Sequence, residues 1–560
     1  SLSLSLSSVM VMVMVSTRRC IPSLLSTKAL LVVVVVIIIV MTTMSDHVVA
    51  GQRAPADDST TTPLVKVVTS GDDSMGMGMG EFRVVVKGKT WLASDGVHLR
   101  HHNQLCTVDN GKLVLTSSQK LSGTDEKLGK YEGVLWDWRA VVGDKPHMLT
   151  AIKWFESGNI VLFDQYFPEE VRASQSPGLN CSSAYIPGKL SSDAEFTWAG
   201  LASAFPTFRR APGIAEEALG FMEYYGLFEN GDNGGVGPNL GLWDDVDDKL
   251  FGGLSSGPLS LFNQEGVAAV ISSHSNFMTT SADSSFVSSY DLGIMGSVES
   301  IPAGFTVSHV FFVSDRGINH AFEAWGSHLL SYYDKTPTRA RDEDETNKYL
   351  GYSTDNGAYY YYHPESSKDM YQTLLDVHSY SKSEGIPYRN LLLDSWWYYR
   401  NAMDNSVVLW EAREDVFPGG NEGMRLLGEK TGWLFTAHNR YWSNYTKYDT
   451  LVGGQYEFVH DVESPCDAKL AYSLPASETF WEFLFEQATN QWGLYTYEQD
   501  WLWPQFLGMT KLLSDPRLGR EWLMQMGKAA SNNHVNIQYC MALPRHALQS
   551  VEIPAVTQLR

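Results

Sequence analysis

Near residue 348 the chain changes its period, and few folds accommodate both halves. From Glu81 to about Ser331 the apolar residues come in short runs rich in β-branched and aromatic side chains: Phe82–Val86, Lys112–Leu115, Val134–Trp138, Ile160–Phe163, Gly266–Ile271 and Phe305–Phe312. Gly, Asn and Ser clusters separate these runs, and no helical pattern intervenes. Regularly spaced short strands predict an all-β sandwich. From Ile318 to Tyr333 the spacing turns helical, with Ala321, Phe322, Trp325 and Leu329 on one face, and marks the joint between domains.

Beyond Lys348, strand-like and helical segments alternate. Strands are expected at Tyr349–Tyr362, Arg389–Tyr399, Gly432–Ala437, Gly493–Tyr497, Val535–Met541 and Ala555–Arg560, with helices near Lys368–Gly385, Gly420–Thr431, Ser477–Asn490 and Gly519–Asn532. Such alternation implies parallel βαβ units, and six strands predict a (β/α)8 TIM barrel cut near strand 6. A doubly wound open sheet is the competitor. No Gly-rich phosphate loop follows any strand, so nucleotide binding has no support. The expected architecture is multidomain, β then α/β: a β-sandwich over 81–335 and an incomplete barrel over 336–560.

Of the 560 residues, 44% are hydrophobic and 19% charged, enough apolar surface for a sizeable core. Acidic residues outnumber basic ones 64 to 42, a net charge of −22 that repels phosphate backbones and argues against a nucleic-acid partner. Five Cys are too sparse for a disulfide scaffold, and none has zinc-ligand spacing, so neither metal nor cofactor is expected. Residues 1–45 begin with low-complexity Ser-Leu and Val-Met repeats. Arg18, Arg19 and Lys28 then precede an apolar run over 29–44. That run is shorter than the about 20 residues of a full span and suits a signal peptide. The alternative is a retained signal anchor, with residues 29–44 holding the protein to the membrane. The sequons at Asn180 and Asn444 agree with passage through the secretory pathway, where Cys106, Cys181, Cys466 and Cys540 would be free to pair. Residues 46–80 read as a flexible linker. The expected location is secreted or membrane-anchored, with the domains on the luminal or extracellular side.

A barrel carries its chemistry at the C-terminal strand ends. Polar and aromatic clusters gather there: Asp394–Arg400, containing Trp396 and Trp397; His438–Trp442, containing Arg440; Glu498–Trp501; and Arg545–His546. Ten of the 17 Trp follow Lys348. Ring faces beside carboxylates and Arg suit a neutral, hydroxyl-rich carbohydrate, although Trp packed into the core gives the same composition. Asp394 and Asp500 each follow an apolar strand. Either could be a helix cap, but two on different strands of one barrel converge near its axis, as glycoside hydrolysis requires.

At these residues the sequence resembles glycoside hydrolase family 36 of clan D, in its raffinose synthase and alkaline α-galactosidase branch. Leu391-Leu-Leu-Asp394-Ser-Trp396 is similar to the second-strand motif, an apolar run followed by Asp-Asp-Gly-Trp. Gly493 to Asp500 matches the fourth strand, which ends in Lys-x-Asp. Ile537-Gln-Tyr-Cys540-Met541-Ala and Ala555–Arg560 resemble the fifth strand and the approach to the sixth. The resemblance implies a β-supersandwich before the barrel and a retaining α-galactosidase-like enzyme. In that reading Asp500 is the nucleophile, Asp394 binds sugar hydroxyls, Trp396 packs on the ring, and Arg560 sits at the approach to the acid/base, which lies beyond it; Trp397, His438, Arg440, Trp501, Arg545 and Arg560 complete the substrate-binding candidates at the strand ends. Two positions depart from the family: Glu498 stands where it has Lys, and Ser395 where it has the second Asp. Both family residues contact sugar hydroxyls, so these departures bear on galactose specificity. Three readings compete with hydrolysis: transglycosylation through the same intermediate, a catalytically inactive carbohydrate-binding surface protein on this scaffold, and an unrelated α/β enzyme using Glu411, Glu457 or His460.

Overall fold

The computed structural model describes residues 63–70, 80–176, 200–225, 237–248, 250, 252–253, 256–284, 288–461 and 472–560. The low-complexity N-terminus, the apolar run over 29–44, the sequon at Asn180, and Cys181 and Cys466 lie outside them. Among the described residues no helix is long and apolar enough to cross a membrane. From Thr62 onward the chain forms one compact unit.

Its first layer is the antiparallel sandwich that the strand-like runs predict. A nine-stranded sheet runs from the edge strand Gly237–Leu242 to Leu113–Asp125 at the far edge, with Phe305–Ser314 at its centre between Ala268–Ser273 and Ile160–Phe167. A five-stranded sheet, centred on Leu201–Arg209, accompanies it. Phe163, Trp136, Phe205 and Phe208 share one core, the last two reaching it because the ladder of Leu201–Arg209 is irregular between Ala204 and Thr207. Their rings meet Phe82 at centroid distances of 5.6 to 6.3 Å. Such ring pairs add about 0.5–1.5 kcal/mol each beyond the area they bury. Strand Phe82–Val86 in turn pairs with Val65–Thr69, which buries Val65 and Val67. Part of the stretch read as linker is therefore sheet, because Val-Lys-Val alternation found a partner strand. The helix Ile318–Tyr332 forms where expected, but lies on the outer face of the nine-stranded sheet against Ala268, Val270 and Phe312.

The second layer is a six-stranded parallel sheet: β1 (Gly351–Ser353), β2 (Asn390–Leu393), β3 (Leu434–Asn439), β4 (Leu494–Gln499), β5 (Asn536–Tyr539) and β6 (Val556–Leu559). The strands lie side by side in chain order, as in half of a barrel and unlike a doubly wound sheet, where the order reverses. Among the described residues β1 and β6 do not pair with each other. Helices α1 (Met370–Ser383), α2 (Asn421–Thr431), α3 (Glu478–Trp492) and α4 (Leu518–Asn532) connect the strands. Their limits follow local chemistry. Asp369 caps α1 by accepting from Gln372 N at 2.7 Å. Gly432 (φ 68°) and Gly493 (φ 80°) end α2 and α3 in the left-handed conformation, from which β3 and β4 start directly.

Two expected strands are shorter than their aromatic content suggests. Only Gly351–Ser353 of Tyr349–Tyr362 pairs, because Asn356, Gly357 and Pro364 turn the chain. The run Arg389–Tyr399 breaks after Leu393, and Tyr398–Arg400 joins a separate five-stranded sheet with Val407–Ala412, Trp442–Ser443, Phe458–His460 and Tyr472–Pro475. Cys106, a candidate for pairing in an oxidising lumen, is a buried free thiol.

Candidate functional site

All six parallel strands deliver a polar residue at or just beyond their C-terminal ends: Asp355, Asp394, His438, Glu498 with Asp500, Cys540 and Arg560. Register makes the convergence systematic. His438 pairs with Glu498, Glu498 with Gln538, and Gln538 with Gln558, so one level across the sheet is polar. The positions before it, Leu393, Ala437, Tyr497 and Ile537, are buried apolar residues of the core.

Asp500 is held from two sides. Trp501 N donates to its Oδ1 at 2.7 Å, and His438 Nε2 lies 2.9 Å from its Oδ2. The first contact depends on Trp501 adopting φ 61°, an uncommon conformation for a bulky side chain, at the point where the chain turns into the helix Leu502–Gly508. The second depends on tautomer. The Asp500 carboxylate can only accept, which places the imidazole hydrogen on Nε2; Nδ1 is then an acceptor for Tyr398 OH, 3.1 Å away. Asp500 is 9% exposed, so it is reachable as well as held.

Glu498, two residues earlier, is fully buried. Burial first, then the charges of Asp500 and Asp394, push its carboxyl well above the usual range and favour the neutral acid. The Cys540 thiol beside it acts in the opposite direction. Arg560 Nη1 is 3.6 Å from Glu498 Oε1, too long for a hydrogen bond, and the Arg560 guanidinium is engaged by Asp355. Asp394 accepts from the Ser395 backbone and from Ser395 Oγ at 2.7 Å. Arg440 lies with its guanidinium 4.1 Å from the Trp501 ring centroid; burial acts to lower its pKa, but its surroundings, the Asp500 carboxylate among them, hold it above the ordinary value.

The structure therefore brings Asp394, His438, Arg440, Asp500, Trp501 and Arg560 together, and adds Asp355, Tyr398 and Glu498. The turn after β1 gave no strand-end signal for Asp355. Tyr398 belongs to the aromatic cluster after β2, where its role depends on a long-range contact with His438. Three expected residues lie elsewhere. Trp396 is buried, stacks on Phe417 at 5.8 Å and donates to Thr354 Oγ1 at 3.1 Å, so no ring face is free for a sugar. Trp397 is fully buried among Tyr398, Trp410 and Trp492. Arg545 donates to Met278 O at 2.8 Å and Thr280 O at 3.1 Å, stapling the parallel layer to the sandwich, and burial lowers its pKa to about 9. These three are structural, because the aromatic and basic residues after each strand also have to fill the space between layers.

Among the described residues, one group of three side chains has metal-ligand chemistry: His101, His102 and Asp144, in the sandwich. Arg172 N donates to His101 Nδ1 at 3.3 Å, which leaves the hydrogen on Nε2, 2.6 Å from Asp144 Oδ1. That nitrogen has no lone pair to offer, so the trio fits a hydrogen-bonded clip between two turns.

No family model matches the chain, and no curated protein matches its sequence. Among solved structures it is similar to the α-N-acetylgalactosaminidase NagBb from Bifidobacterium bifidum in complex with Gal-NHAc-DNJ, with a TM-score of 0.52 and 12% identity over 89% of this chain and 77% of that one. A glycoside hydrolase family 97 enzyme from a Pseudoalteromonas species, in complex with acarbose, aligns with a TM-score of 0.43 and 11% identity over 85% of this chain and 64% of that one. The likeness to NagBb is one of fold: a β-sandwich packed on a parallel β/α layer with a polar C-terminal rim.

Proposed function

We propose that the protein is a retaining α-glycoside hydrolase, α-galactosidase-like, in which Asp500 attacks the anomeric carbon as the glycosidic C–O bond breaks and its oxygen leaves with a proton from a carboxylic acid, and the covalent glycosyl intermediate on Asp500 is then released by water. The observation that carries this reading is the mounting of Asp500: a nearly buried carboxylate at the end of β4, oriented by Trp501 N and by the Tyr398–His438 relay. Two donors aim its oxygens and leave it accessible, as a positioned nucleophile requires. Glu498, as a neutral acid, donates to a sugar hydroxyl where a cationic Lys would serve in family 36. Asp394 and Asp355 accept from others, and Arg440 and Trp501 line the rim. The sugar, on this reading, is a neutral hexose, because the rim carries several carboxyl groups.

The apolar run over 29–44 and the sequon at Asn444 support a secretory or cell-surface location, with Asn444 partly buried and its neighbour Tyr445 68% exposed. A second reading, a carbohydrate-binding protein on the same scaffold, is favoured by the engagement of Arg560 with Asp355 across the site. One experiment separates the two. A 2-deoxy-2-fluoro-α-galactosyl fluoride should label the protein by one glycosyl unit, located on the peptide containing Asp500, and D500N should abolish both labelling and turnover while retaining sugar affinity. Sugar binding with no label and no turnover in the unmutated protein supports the binding-protein reading instead.

A further inference from the structure

We propose that His274 and His328 form a transition-metal site on the outer face of the nine-stranded sheet, chelating one divalent ion of the Zn2+ or Cu2+ kind between that sheet and the helix Ile318–Tyr332. The site lies in the sandwich, away from the carboxylate cluster, and does not depend on the glycosidase reading.

His274 directly follows the strand Ala268–Ser273, and His328 lies in the last two turns of the helix. The 3.6-residue period sets Ala321, Trp325, His328 and Tyr332 along the stripe that faces the sheet, where Trp325 Nε1 donates to Ser272 Oγ at 3.0 Å. His328 therefore lands over His274, and the two Nε2 atoms are 3.1 Å apart. Neither ring is free to drift. His274 N donates to Ser308 O at 2.7 Å, and its carbonyl accepts from Tyr333 OH at 2.6 Å. Tyr332 packs edge-on against the His274 ring at 4.4 Å, and Phe312 lies 5.8 Å from the ring of His328.

That spacing suits chelation. With metal–imidazole bonds of about 2.0–2.1 Å, two nitrogens 3.1 Å apart subtend an angle of about 98° at the ion, between square and tetrahedral coordination. Both rings are neutral near pH 7: burial lowers the pKa of His274 to about 3 and that of His328 to about 4, with the Asp125 charge opposing the second shift. Neutral imidazole is the form that binds metal. His101, His147 and His438 each meet a carboxylate at 2.6 to 2.9 Å, which occupies one ring nitrogen. Among the described residues no group other than its partner ring hydrogen-bonds to either imidazole here. The hydrogen on one Nε2 can therefore move to Nδ1 of the same ring, which turns both Nε2 lone pairs to the ion with no change in net charge.

The donor type selects the ion, since imidazole suits Zn2+, Ni2+ and Cu2+, whereas Ca2+ and Mg2+ prefer oxygen. His328 is partly exposed, so water reaches the ion and completes its shell, and Asp125 acts on His328 as a nearby negative charge. One ligand comes from the sheet and one from the helix, so the ion staples the helix to the sandwich.

The test uses the untagged full chain with Zn2+ alone as the probe, read by calorimetry and by thermal melting. One Zn2+ should bind per chain, and at about 100-fold its Kd it should raise the melting temperature by about 2–3 °C, while Mg2+ does neither. H328Q, on the exposed side of the pair, should weaken Zn2+ binding by about tenfold or more, and H274Q should do the same. H102Q, in the other histidine cluster, should change nothing. With Cu2+ in place of Zn2+, electron paramagnetic resonance should show two nitrogen ligands in the unmutated protein and one in H328Q. If H274Q, at the buried ring, does not fold, H328Q decides alone. No binding, binding that survives H328Q, or binding lost in H102Q instead overturns the site.

Discussion

His438 Nε2 lies 2.9 Å from Asp500 Oδ2, and Tyr398 OH lies 3.1 Å from the other ring nitrogen, so with the carboxylate able only to accept, the imidazole donates from Nε2 and the phenol supports that tautomer by donating to Nδ1. Removing the imidazole removes a charge-assisted hydrogen bond of about 1.5–3 kcal/mol. On the hydrolase reading, H438A should lower kcat by about 10- to 100-fold with a smaller change in KM, because the carboxylate loses orientation rather than its sugar contacts. Y398F should fall in the same direction by less, since it releases the tautomer without removing the donor. Equal and large KM changes in both variants would mean that His438 binds sugar instead.

Glu498 gives the site a pH signature of defined sign. Its folded pKa is raised by burial and by the Asp500 and Asp394 charges, so the native state holds the proton more tightly than the unfolded chain does. The associated stability is fully present below the unfolded value, about 4.3, and is lost as pH rises through the raised folded value. E498Q keeps the shape and a donor but cannot ionise. Its melting temperature should equal or fall below that of the unmutated protein at pH 5 and exceed it at pH 8. Parallel melting curves across that range would show that Glu498 is already ionised in the native state.

The parallel layer was legible in the sequence because its boundary signals are local. Gly432 and Gly493 end helices and begin strands, and the apolar runs before Asp394 and Asp500 are the strands β2 and β4. The inserted sheet was not, because its hairpin of Tyr398–Arg400 with Val407–Ala412 is joined by Trp442–Ser443 and Tyr472–Pro475 from 30 or more residues further on, and such pairing has no local signal. For the same reason Asp500 could be singled out as following a strand, while Tyr398, which reaches it through His438, could not. Trp396, Trp397 and Arg545 misled in the opposite sense. Trp396 and Trp397 lie within three residues of Asp394, and Arg545 lies five residues after Cys540, but the chain turns at both places and these side chains point away into packing.

Those three residues supply a stability prediction. Trp397 is fully buried among three aromatic rings, so W397A should cost about 3–5 kcal/mol. R545A leaves two sandwich carbonyls without a donor and should cost about 3 kcal/mol. Neither side chain faces the carboxylate cluster, so sugar affinity in the folded fraction should stay within twofold of the unmutated protein. Urea titration followed by calorimetry below the unfolding midpoint checks both. A tenfold loss of affinity in stably folded R545A would return Arg545 to the site.

Asp291 and Asp283 stand directly opposite each other on neighbouring antiparallel strands, Ser289–Met295 and Thr280–Asp283, and both are buried. Like charges at such a position are destabilising, and one oxygen of Asp291 has no partner. Burial, with the Asp283 charge second, pushes the Asp291 carboxyl up to about 8. The folded value is thus raised above the unfolded one, near 3.9. The native state binds the extra proton between these limits, so the contribution is intact below about pH 4 and is lost progressively as pH rises through 8. D291N replaces a titrating acid with a neutral side chain of the same shape. It should match the unmutated protein within about 1 kcal/mol at pH 5 and be the more stable of the two by a few kcal/mol at pH 9. Chemical denaturation at pH 5, 7 and 9 reads the difference directly. A difference that stays constant with pH would show that Asp291 is ionised throughout, held by a partner that offsets both its burial and its neighbour.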